Sequence, residues 1–260
     1  MSSDAKKRRA AARERAKASG GGGRTYLPLV QGDDTPDRAA YRARVGQLTD
    51  GFPRDAMLPV ALGAAAGQTA QATLDGAFEQ AGRKTACARG CSYCCHVYVS
   101  VTVPEVAILV EYVRRSASGD ELTALLERLR GTADAAKGKT PEDYPATACA
   151  FLKNGECMGY NARPVACRAH HSFDVDACRA ALEGGRDGIP NAVPILELRT
   201  QIKTGYLDVL LGRELDHESY ELQQLAKIIL EDPTAVRRSV EGEAGVFEGA
   251  KRSWGSGARE

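Results

Sequence analysis

No stretch of this 260-residue chain approaches the ~18 uninterrupted apolar residues of a membrane-crossing helix, so no span is expected. The opening MSSDAKKRRAAARERAKASGGGGR likewise lacks the apolar run of a secretory signal. Both absences argue for a cytoplasmic protein, in which a reducing thiol pool disfavours structural disulfides. GxxxxGKS/T, HExxH and GxSxG do not occur, which removes the usual markers of nucleotide hydrolysis, zincin proteolysis and serine hydrolysis. Internal repeats and βαβ alternation are missing as well. Lys and Arg total 35 against 34 for Asp and Glu, a net charge of +1, so no overall field gathers nucleic acid. Cysteine is sparse, at eight residues, far below the density of a small disulfide scaffold. The 43% hydrophobic content is that of an ordinary soluble protein, able to bury a core without cross-links.

What is present reads as helix. Residues 36–49 and 53–83 contain few breakers, and Leu74 and Phe78 share a face of the second segment. Within it, ALGAAAG at 61–67 is no dinucleotide fingerprint, and its small residues predict close helix packing. Pro104 suits a first helical turn at 104–115, where Val106, Leu109, Val110 and Val113 form an apolar stripe. Asp120 is expected to cap a helix over 120–137 carrying Leu122, Leu125, Leu126 and Leu129. Further stripes are Ile195, Leu198, Ile202, Tyr206 and Val209, then Leu222, Leu225, Ile228 and Ile229. VYVSVTV at 97–103 departs from this period, with valine at every second position, and predicts a strand. The expected fold is mainly α: a helical cysteine-rich metal-binding domain with at most a short strand or hairpin, flanked by N- and C-terminal helices. Its organisation is a disordered basic tail at 1–30, one helical domain at 31–240 with a cysteine core at about 85–180, and a flexible, Gly-rich tail at 241–260. The basic tail, with Lys6, Lys7, Arg8 and Arg9, is a candidate arm for nucleic acid or a protein partner.

The cysteines are gathered rather than scattered. Cys87, Cys91, Cys94, Cys95, Cys149, Cys157, Cys167 and Cys178 all fall in one window, together with His96, His170 and His171. A tetrahedral thiolate site, with metal to sulfur distances of about 2.3 Å, needs ligands delivered by tight turns, and Cys91-x2-Cys94 supplies one. Cys94 and Cys95, being adjacent, are expected to diverge and not to serve one ion equally. Bound thiolates are anionic, so Arg163 and Arg168, with Arg83, Lys84, Arg89 and Arg179, are candidate neighbours, as are His96 and His170. Thiolates suit both zinc and iron–sulfur clusters, and the choice stays open.

CxxxCxxCC at 87–95, CAFLKNGEC at 149–157 and YNARPVACR at 160–168 together resemble the YkgJ-type cysteine-cluster family, a zinc- or iron-chelating domain. The resemblance spans roughly 87–180. It implies a site for zinc or an iron–sulfur cluster built from Cys87, Cys91, Cys94, Cys95, Cys149, Cys157 and Cys167, with Cys178 a further ligand outside the shared pattern. Flagellin lysine N-methylase carries a similar motif, but its activity does not transfer on a motif alone. Two functions follow as expectations: a redox or cluster-dependent enzyme, or a structural zinc-binding or metal-handling protein without catalysis. A third, a radical S-adenosylmethionine enzyme, rests on the similarity of Cys87-x3-Cys91-x-Tyr93-Cys94 to that superfamily's motif and requires a partial βα barrel.

Overall fold

The computed structural model describes residues 34–184, 189–190 and 193–251. The basic tail expected at 1–30 lies outside the described residues. The fold is mainly helical, as the periodicity predicts. Helix α1 (Pro36–Leu48) opens on Thr35, whose hydroxyl accepts from the Arg38 amide. The long α2 (Met57–Gln80) packs on α3 (Val103–Ser116) through its small residues. A side chain on Gly63 would overlap the Pro104 carbonyl oxygen and stand 2.7 Å from Ile108 Cγ2, so the close approach requires glycine there.

Helix α3 begins with a capping box that neither Pro104 nor the stripe announces. Thr102 is the cap, and Glu105 Oε2 accepts from the Thr102 amide at 2.8 Å. Helix α4 (Gly119–Ala136) starts one residue earlier than expected, because Ser118 and not Asp120 is its cap: Ser118 and Glu121 form a second capping box. The chain continues through α5 (Val165–Ala169), α6 (Val175–Glu183), α7 (Val193–Gly212), α8 (Leu222–Glu231) and α9 (Ala235–Val240).

Strand structure among the described residues is limited to two short antiparallel pairs. Only Ser100–Val101 (β1) of the expected 97–103 strand is paired, with Tyr220–Glu221 (β4); Thr102 and Val103 are already committed to the cap and first turn of α3. The second pair joins Leu152–Lys153 (β2) to Glu156–Cys157 (β3) across Asn154 and Gly155, whose φ values of 51° and 82° match the Asn-Gly hairpin turn. No βα barrel is present among the described residues, which removes the scaffold that the radical S-adenosylmethionine reading needs.

Apolar side chains form two cores. One joins α3, α4, α8 and α9 around Leu109, Val110, Leu129 and Leu225; the other joins α1, α2, α5 and α7 around Tyr41, Leu62, Leu74 and Ile202. Residues 241–251, expected from their glycines to fray, close the first core instead, with Phe247 and Ala250 buried and Lys251 bridged to Tyr220. No helix of the described residues is long and apolar enough to cross a membrane.

Candidate metal centre

Between the two cores lies a cavity of about 630 Å³. Its walls combine residues of the first core (Val101, Leu109, Phe151, Leu222) with residues of the second (Val165, Ala169, Tyr206). Six of the eight cysteines line it: Cys91, Cys94, Cys95, Cys149, Cys157 and Cys167. All eight are free thiols.

Local chain chemistry accounts for each placement. Gly90, at φ 88°, turns the chain so that the Cys91 amide donates to the Ala88 carbonyl at 3.1 Å. The next turn, Tyr93–His96, is a 3-10 helix carrying Cys94 and Cys95. The Cys149 amide then donates to the Cys95 carbonyl at 2.7 Å, tying the first cysteine segment to the second across two intervening helices. Cys157 ends the Asn-Gly hairpin, and Cys167 sits on α5, which follows Pro164.

Three residues that the motifs do not include hold these segments. Gln223 Nε2 donates to Cys149 Sγ at 3.2 Å, while its Oε1 accepts from the Ala150 amide at 3.0 Å. Glu105, the capping-box residue of α3, also accepts from the Val165 amide at 2.8 Å through Oε1, so one buried carboxylate clasps the start of the Cys167 helix. Arg128 Nε donates to the Ala150 carbonyl at 2.9 Å. These partners are 22 to 74 residues away from what they hold, and no local spacing exposes them.

Cys94 and Cys95, adjacent on the 3-10 turn, both line the cavity. The two thiols act on each other, which pulls the Cys94 thiol down to about 7, helped by the Arg163 charge, and pushes Cys95 up. Burial raises the other cavity thiols for which a shift is resolved: Cys149 to about 11, Cys157 and, most strongly, Cys167. Cys87 and Cys178 lie outside the cavity. Cys87 Sγ accepts from the Ser172 amide at 3.3 Å, and Cys178 is buried on α6; burial first, and the charges of Cys94, Cys91 and Cys178 with it, raise the Cys87 thiol.

The expected neighbours separate by role. Arg163 lines the cavity, stacks 3.7 Å from the Tyr160 ring centroid and favours the thiolate forms of Cys94 and Cys157. Arg168 is a brace: it donates to the carbonyls of Arg163 and Asn161 and to Gln71, fixing the loop of the RPVACR stretch against α2. His96 faces the Ser92 carbonyl with Nδ1 at 3.2 Å and does not line the cavity. His170 does, and its Nε2 is buried without a hydrogen-bond partner. Arg83 covers Phe173, Arg89 pairs with Glu156 and Arg179 donates to the Tyr93 hydroxyl.

Among the described residues no three Cys, His, Asp or Glu side chains are drawn together tightly enough to hold a single ion. The thiols are spread over the cavity wall. Comparison with protein-family models, with curated proteins and with solved structures yields no match.

Proposed function

We propose that the protein binds a polynuclear iron–sulfur centre through cysteines of the cavity and serves a redox or cluster-dependent reaction there. The observation that carries this reading is the convergence of six free thiols, from four separate segments, on one chamber. A single zinc requires four sulfurs about 2.3 Å from one point. A cluster of several irons is held by thiolates spaced more widely, which suits donors spread over a wall. A cavity of about 630 Å³ is large enough to admit a reactant beside the metal, which favours a reacting centre over a closed structural one.

Cys91, Cys94, Cys149, Cys157 and Cys167 are the strongest donors, with Cys95 beside them on the same wall. When bound, the centre supplies one-electron chemistry. Arg163 offsets thiolate charge, and Gln223 and Glu105 orient Cys149 and Cys167. The zinc-binding alternative remains the competing outcome of the same experiment.

Oxygen-free purification, elemental analysis and an absorption spectrum test the reading. Iron with acid-labile sulfide and a visible chromophore is expected, falling together in a Cys167→Ser variant. Colourless protein with stoichiometric zinc overturns it.

A further inference from the structure

The cavity holds a cation to which the metal reading gives no role. Arg199, on α7, lines it and is partly buried, yet takes part in no ion pair or hydrogen bond among the described residues. Burial is what acts on its charge, weakening the guanidinium's hold on its proton without a compensating carboxylate. A desolvated guanidinium without a counter-charge is costly unless something completes it. Close by in its electrostatic field stands His170, whose Nε2 is buried, unpartnered and on the same cavity wall. Burial first, and then the Arg199 charge, hold that imidazole neutral, with its pKa pushed down to about 4. It therefore adds hydrogen-bonding capacity but no charge.

We propose that Arg199 and His170 form a recognition site for a small-molecule monocarboxylate with an apolar body. Charge balance selects a monoanion. The charge of Lys203 acts on the Glu105 carboxylate and that of Arg163 on Cys94 and Cys157, whereas that of Arg199 acts on the imidazoles of His170 and His171. A carboxylate matches the fork of a guanidinium in bidentate fashion. Inorganic phosphate, nearer to two negative charges, overfills the site. The apolar part of the ligand is accommodated by Val101, Phe151, Leu196, Leu207 and Leu222. The inference goes beyond the metal reading, because that reading gives no role to Arg199 or to the apolar lining.

Calorimetric titration of the full chain with octanoate and with octanamide, its neutral counterpart, tests the site directly. Octanoate should bind at least about tenfold more tightly than octanamide, in keeping with a charge-assisted hydrogen-bonded contact. Arg199→Met should abolish that preference, and excess inorganic phosphate at constant ionic strength should leave octanoate binding unchanged. Equal binding of the two probes, no saturable binding of octanoate, displacement by phosphate, or a preference that survives in Arg199→Met would each overturn the proposal. Should Arg199→Met fail to fold by circular dichroism, the two probes on the wild-type chain still decide.

Discussion

Glu221 shows how one residue can oppose the stability of the whole. It caps α8, with Oε2 accepting from the Gln224 amide at 2.9 Å, but it is 1% exposed and its Oε1 has no partner. Burial pushes its carboxyl up to about 7, against an ordinary value of 4.5. The folded chain thus keeps a proton that the unfolded chain releases near 4.5. The stability this contributes is complete below about pH 4.5 and is lost as the pH rises through about 7. Glu221→Gln keeps an acceptor for the cap and removes the titration. Relative to wild type, the variant should gain on the order of 3 kcal/mol between pH 5 and pH 8. Urea unfolding of both proteins at the two pH values measures this, and a difference that does not change with pH contradicts it. Nothing in the local sequence marks Glu221 as buried, since it follows a loop and precedes an apolar stripe. Its burial comes from strand pairing with Ser100, some 120 residues earlier.

Elements were legible where their own side chains set the period. The stripes of α3, α4, α7 and α8 are buried or partly buried faces, because an amphipathic helix has one way to hide them. The valines of 97–103 misled for the same reason in reverse: alternation describes a half-buried extended segment, but the Thr102 cap and Pro104 draw its end into a helix. Of the candidate site, the cysteines were legible as a group from spacing. Gln223, Glu105 and Arg199 were not, since their roles come from packing between elements. Close packing of α2 on α3 was legible in ALGAAAG and supports a paired prediction within one helix. Gly63→Ala places a methyl against the backbone of Pro104 and should destabilise by about 1–3 kcal/mol. Gly76→Ala, on the same helix with open space around it, should stabilise by about 0.5–1 kcal/mol. Thermal unfolding of both variants reads the signs, and equal effects would deny that contact with α3 decides them.

At the scale of the molecule, each of the two cores is built from many buried apolar side chains, while the segment that feeds the cavity between them has little core of its own. From Cys87 to Val99 no residue is buried. Its tether to the remainder includes the Cys149 to Cys95 hydrogen bond, the Cys87 contact with Ser172 and the Arg179 contact with Tyr93. Segments with few buried apolar contacts open at low free-energy cost, well below global unfolding. A ligand held jointly by this segment and by Cys149, Cys157 and Cys167 adds its binding free energy to closing that segment. Hydrogen exchange should therefore be fast at 91–96 in metal-free protein and slow by about tenfold or more after loading with iron and sulfide, with chelation reversing the change. Amides in the middle of α2 and α4 should exchange alike in both states, because neither helix lines the cavity. Exchange at 91–96 that ignores loading would separate these cysteines from the metal, and protection gained uniformly across both cores would mean that the metal governs folding of the whole chain.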